Sequence, residues 1–140
     1  MIEYEKDRLK ALIDELFDKF MEVKSEMEHK VKNQKKYYER NSIYMTLKYC
    51  YNDDCIFCPH SYEWKISYKL NTKQGKKWYG KRIGRRITHK VLKQYGKDNM
   101  YPVLKELENE MRELQKERDF YAKNIQKIRR IYRESQKVWD

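Results

Sequence analysis

A chain of 140 residues with 33 Lys and Arg against 22 Asp and Glu, a net charge of +11, has room for one small core with helical extensions. That excludes a barrel enzyme or a two-domain dehydrogenase. Charged residues make up 39% of the chain and no apolar run approaches the roughly 18 to 20 residues of a membrane span, so no transmembrane helix is expected.

The first 40 residues contain no Gly or Pro, and Leu9, Ile13, Leu16, Phe20, Val23, Met27 and Val31 follow one another at steps of three and four. That spacing predicts a long N-terminal helix over 1–40 with a single near-heptad apolar stripe. Acids lead it at Glu3, Glu5 and Asp7, and bases close it at Lys30, Lys32, Lys35 and Lys36, the polarity a helix dipole favours. The same early charges lack the apolar stretch of a secretory signal, so the expected location is cytoplasmic: at the nucleoid, or in a host cytoplasm if the protein is viral.

Over 41–97 the period shortens to two. Ile43, Met45, Leu47 and Tyr49 alternate with Tyr44, Thr46 and Lys48, and Trp64, Ile66, Tyr68 and Leu70 alternate with Lys65, Ser67 and Lys69. A turn-like stretch, Asn71 to Gly75, leads to a third run at 76–83. Three antiparallel strands are predicted, followed by a short helix over 88–95 that Gly96 ends. From 98 to 140 a second apolar stripe runs through Leu104, Leu107, Met111, Leu114, Arg118, Tyr121, Ile125, Ile128, Tyr132, Ser135 and Trp139, with Pro102 suited to its first turn. A helix from Pro102 to Val138 would be about 55 Å long, more than a compact domain of this size needs. Each long helix has one stripe and needs a partner. The expected fold is α+β: an antiparallel, coiled-coil-like helical hairpin flanking a small three-stranded antiparallel sheet with a zinc loop and a short helix. Pairing of the long helices between two chains, a homodimer, is the alternative.

All three cysteines and one histidine fall between the first two strands, as Cys50-x4-Cys55-x2-Cys58-x-His60. Three thiolates and an imidazole are the ligand types of a closed structural zinc site, with His89 as the alternative fourth ligand. Structural Zn2+ has a physical role here, because so short a sheet has little core and metal binding supplies folding energy. Asp53 and Asp54 read as turn formers rather than a catalytic pair.

The charge excess is local. Residues 1–63 and 98–140 are nearly neutral, while 64–97 holds twelve bases and no acid. Lys65, Lys69, Lys73, Lys76, Lys77, Lys81, Arg82, Arg85, Arg86 and Lys90 are the candidate nucleic-acid contacts, on a basic hairpin face able to meet phosphates. DNA is favoured over RNA. Exposed Trp78 or Tyr79 would instead stack on unpaired bases. A protein partner, with the chain acting as a viral or mobile-element adaptor or inhibitor, and a ribosome-associated role are the alternatives. No nucleophile constellation, phosphate-binding glycine loop or paired-carboxylate pattern occurs, so an enzyme is not expected.

Cys55, Cys58, Pro59, His60, Tyr62 and Trp64, followed by the basic strand ending Trp78-Tyr79-Gly80-Lys81, resemble a family of small uncharacterised bacterial and archaeal proteins. Its members carry a cysteine cluster, a Cys-Pro-His-Gly-Pro-Tyr-Trp-like segment, a basic aromatic hairpin and a C-terminal helical coil. The resemblance implies a zinc-ribbon-like or sheet-based binding module from viral or mobile genomic contexts. Ser61 stands where the family has Gly-Pro.

Overall fold

The computed structural model describes residues 2–34 and 43–139, without the side chains of 2, 68–71, 76, 78, 79, 138 and 139. The last residues of the predicted N-terminal helix, 35–40, lie outside the described residues. Helix α1 spans Ile2–Asn33, strands β1, β2 and β3 span Ile43–Lys48, Ser61–Thr72 and Gly75–Gly84, and helix α2 spans His89–Gln94. A 3-10 turn, Asp98–Met100, leads into helix α3, Tyr101–Trp139. The fold is α+β, with long N- and C-terminal helices flanking an antiparallel sheet of order β1-β2-β3. None of the described helices is long and apolar enough to cross a membrane.

The chain divides into two compact units. The first comprises residues 1–26 and 114–140, a helical arm. Its seam buries Phe20 and Val23 of α1 and Leu114, Ala122 and Ile125 of α3. Arg118, the polar break in the apolar repeat, is only 8% exposed: its guanidinium lies 5.6 Å from the centre of the Phe20 ring and its Nη1 is 2.9 Å from Asp119 Oδ1. A cation over an aromatic face keeps part of its electrostatic stabilisation while its stem fills the seam. Leu9, Ile13, Leu16, Ile128 and Tyr132 are half-buried.

The second unit, residues 27–113, holds the sheet. Alternation places Ile43 and Met45 of β1 and Tyr62, Trp64 and Ile66 of β2 on one face, all buried, with Met27, Ile87, Leu92, Leu104 and Met111 completing the core. Strands β2 and β3 are joined by the two residues Lys73 and Gln74. Thr72 Oγ1 donates to Gly75 O at 2.6 Å and accepts from Gln74 N at 3.3 Å, and Gly75 takes φ +107°, a conformation that favours glycine. Beyond the turn the register is regular up to a bulge beside Trp64 and Lys65. Thr88 caps α2 by accepting from Val91 N at 3.2 Å, as its side-chain chemistry favours. At the outer edge of the sheet, the Gln34 carboxamide accepts from Met45 N at 2.7 Å and donates to Met45 O.

Glu108 of α3 is completely buried. Its Oε1 accepts from Trp64 Nε1 at 3.1 Å and from Ile87 N at 2.5 Å, while Oε2 pairs with Lys105 Nζ and, at 3.1 Å, with Arg112 Nη2. Burying a lone carboxylate costs several kcal/mol, and four donors are what make the position tenable.

Candidate metal centre and basic surface

The β1–β2 connection, 49–60, is closed at its base by His60 N donating to Lys48 O at 2.8 Å. That extends the antiparallel pairing beyond the Lys48–Ser61 pair. At its tip Asp54 N donates to Asn52 Oδ1 at 3.0 Å and Cys55 N to Asn52 O at 3.1 Å. Asp53 and Asp54 therefore sit in a side-chain-supported turn. The turn brings Cys55 close to Cys50, two residues beyond β1, and to Cys58, which a cis peptide bond joins to Pro59 ahead of β2.

The ligand atoms of Cys50, Cys55, Cys58 and His60 all lie within 4.8 Å of one another. Cys50 Sγ is 3.2 Å from Cys58 Sγ, and Cys55 Sγ is 3.2 Å from His60 Nε2. Ligands about 2.3 Å from a tetrahedral ion would be about 3.8 Å apart, inside the observed range. Cys50 N donates to Cys58 Sγ at 3.3 Å. The Cys55 thiol is held down at about 6, first by the backbone N–H of Phe57 and then by the Cys50 thiol, with His60 adding to the effect. Cys50 is pushed up to about 11 by its hydrogen bonds with Cys58 and Cys55. Cys58 is 9% exposed, whereas Cys50 and His60 face solvent. His89, the alternative fourth ligand, is elsewhere: its ring stacks on Tyr101 with centroids 3.6 Å apart. The four-residue cluster is therefore the one with His60, and its donor set is compatible with a metal ion.

The basic residues do not share one face. Lys65 pairs with Arg82 and Ile66 with Lys81, so Lys65 and Arg82 point to one side of the sheet and Lys81 to the other. Lys77, opposite Leu70 and four residues from Lys81, shares the side of Lys81. On the Lys65 side sits Glu63, only 6% exposed, which the acid-free segment just misses. Arg82 Nε donates to Glu63 Oε2 at 2.6 Å, Lys48 Nζ is 3.7 Å from the same oxygen, and Lys65 Nζ is 3.8 Å from Oε1. Arg82 and Lys65 are thus partly neutralised.

Lys73, Lys77, Lys81, Arg85, Arg86 and Lys90 are exposed. Lys77 donates to Gln74 Oε1 at 2.8 Å, and Arg85 stands 5.4 Å from the centre of the Tyr62 ring. Lys73 and Lys77 mark the hairpin tip and Arg85 and Arg86 the opposite end of β3, about 30 Å away at roughly 3.3 Å per strand residue. The side chains of Lys69, Lys76, Trp78 and Tyr79 lie outside those described.

Glu63 and Glu108 are the residues that sequence reasoning missed. Alternation alone places Glu63 beside Lys65, but its pairing with Arg82 needs the strand register. Glu108 carries a local signal, Lys105 and Arg112 at i−3 and i+4, together with its place one turn after Leu104 in the apolar stripe. No protein family, curated protein or solved structure matches the chain.

Proposed function

We propose that the protein is a non-enzymatic nucleic-acid-binding protein that grips the phosphates of duplex DNA with the two ends of the β2–β3 hairpin. One observation carries this reading: six exposed bases, Lys73, Lys77, Lys81, Arg85, Arg86 and Lys90, in a segment without acids. Their extent of about 30 Å along the strands approaches the roughly 34 Å of one helical turn of DNA, and a two-stranded ribbon fits a major groove. A structural Zn2+ on Cys50, Cys55, Cys58 and His60 fixes the β1–β2 loop, and with it the start of β2. Three thiolates and an imidazole favour zinc over hard cations such as Mg2+ or Ca2+, and four protein ligands leave no open position for catalysis. Binding of a labelled 20-base-pair duplex across a salt series tests the reading. With six phosphate contacts, affinity falls about a thousandfold between 50 and 200 mM salt. Weak binding at 50 mM or a flat salt response overturns it. Tighter binding to single strands or RNA, or a protein partner that stays bound after nuclease treatment, moves the surface to those ligands.

The helical arm supports a homodimer. Residues 1–26 carry eight acids and five bases, whereas 114–140 carry eight bases and four acids. Phe120 and Ile131, 60% and 45% exposed, lie three turns apart on one flank of α3, beside the half-buried Ile128. A second copy, with each α1 half against its partner's α3 half, would cover that flank and alternate the charges around a four-helix bundle. Sedimentation equilibrium tests this: dimer at micromolar concentration, and monomer for Phe120→Glu/Ile131→Glu at unchanged helicity. A wild type that is monomeric at 100 µM overturns it.

A further inference from the structure

The geometry points to Cys50 and Cys58 as a reversible disulfide pair whose oxidation by a hydroperoxide expels the metal, leaving Cys55 as the free thiol. This rests on the zinc reading of the same cluster, and it selects one pairing out of three. The short C-x2-C spacing would nominate Cys55 and Cys58 from sequence, but the structure separates them by role. Cys50 Sγ lies 3.2 Å from Cys58 Sγ, and Cys55 Sγ, although it also bonds to Cys50 and Cys58, is engaged by His60 Nε2 at 3.2 Å. The Cys50 and Cys58 sulfurs need to close by only about 1 Å to bond. Cys50 is exposed, so a peroxide reaches it, and its backbone N–H on Cys58 Sγ at 3.3 Å holds the second sulfur in place.

The chemistry balances with hydrogen peroxide as the oxidant. The two thiolates lose two electrons and form one S–S bond. The peroxide O–O bond breaks, and with two protons from solvent it yields two waters. Zn2+ then leaves unchanged in charge, because only Cys55 and His60 remain to hold it and two ligands do not make a closed zinc site. The new bond joins the same two strand ends that the metal had held. The sheet therefore survives, with His60 N still bonded to Lys48 O, while the loop tip carrying Cys55 is released. A dithiol reductant such as dithiothreitol restores both thiols and the site.

The test is titration of the zinc-loaded protein with hydrogen peroxide, following zinc with a chromophoric chelator, free thiols by alkylation and linkage by mass mapping. Trypsin leaves all three cysteines on one peptide, so cleavage before Asp53 or Asp54 and after Phe57 is needed to separate them. The expected result is one zinc released per disulfide formed, a Cys50–Cys58 link, alkylation at Cys55, an unchanged far-UV spectrum, and zinc rebinding after dithiothreitol. A Cys55–Cys58 or Cys50–Cys55 link overturns the proposal, as does zinc release without any disulfide or a disulfide formed with zinc retained. Failure of the metal reading is separable. A protein that takes up no zinc refutes the site, while peroxide treatment of Cys55→Ser, which keeps both sulfurs of the pair, still decides whether Cys50 bonds Cys58.

Discussion

The indole N–H of Trp64 on β2 donates to Oε1 of Glu108 on α3 at 3.1 Å, with both side chains fully buried. The same oxygen accepts the backbone N–H of Ile87, just before α2. One carboxylate therefore ties the central strand and the segment leading into the short helix to the long C-terminal helix. The bond is directional, so it fixes how the tryptophan sits in the core, which hydrophobic burial alone does not do.

Removal of that carboxylate strands two buried donors. Glu108→Ala is expected to cost about 3 to 5 kcal/mol, the range for breaking a buried ionic cluster. Trp64→Phe, which removes one donor and keeps an aromatic ring, costs less, about 1 to 3 kcal/mol. Urea unfolding midpoints at constant slope check the order. Equal losses from the two substitutions would show that the carboxylate is not the shared acceptor.

Loss of any of the four cluster ligands should weaken zinc binding by more than the roughly 10- to 100-fold typical of an outer-shell partner. Cys58→Ser and His60→Ala are the informative pair, measured by competition with a chelator of known affinity. His89→Ala should leave zinc affinity unchanged, because the His89 ring stacks on Tyr101 instead. A drop with His89→Ala would return it to the ligand set.

In the metal-free protein the thiols should react with iodoacetamide in a set order, because the thiolate is the nucleophile. Cys55, held down at about 6, is mostly ionised at pH 7. Cys50, pushed up to about 11, is mostly protonated there. Labelling of Cys55 should reach its plateau near pH 7 and fall away below pH 6, whereas labelling of Cys50 should still be rising at pH 10. Timed alkylation read by mass spectrometry checks this, and faster labelling of Cys50 at pH 7 would reverse the assignment.

Charge reversal should act unevenly along the sheet. Lys73→Glu/Lys77→Glu at the hairpin tip and Arg85→Glu/Arg86→Glu at the other end should each weaken duplex binding and reduce the salt slope by about two. Arg82→Glu should change the slope less, because Arg82 Nε already donates to Glu63 Oε2 at 2.6 Å. It should instead destabilise the sheet by placing two carboxylates together. Fluorescence anisotropy at several salt concentrations distinguishes these outcomes.

Arg118 offers a test with opposite signs. Arg118→Leu keeps volume in the seam against Phe20 and removes a nearly buried charge, so stability should stay level or rise by about 1 kcal/mol. Arg118→Ala leaves a gap and should lower it by roughly 1 to 3 kcal/mol. Thermal unfolding of both variants checks the pair, and a loss for Arg118→Leu would show that the cation over Phe20 is itself stabilising.

Periodicity made most of this fold legible. Steps of three and four gave both long helices, alternation gave the strands, and Thr88 and Gly96 bounded the short helix as their chemistry suggests. The cysteine cluster was legible for the same reason, since its ligands lie within eleven residues and a loop that short brings them together. What stayed hidden depends on elements far apart in the chain. Glu108 meets Trp64 across 44 residues, and Glu63 meets Arg82 across 19. No local pattern encodes which strand residue faces which helix position. The charge run located the basic segment, but only the register showed Lys65 and Arg82 on one side and Lys77 and Lys81 on the other.

The Gln34 carboxamide on Met45 bears on how the molecule behaves in a crowd. A primary amide offers one donor and one acceptor in nearly the geometry of a peptide group, so on the outer edge of β1 it does the work of a single residue of an absent strand. A sheet edge with free donors and acceptors is a template on which other chains can add and grow fibrils. By occupying the middle of that edge, one side chain obstructs the addition of a further strand beside β1.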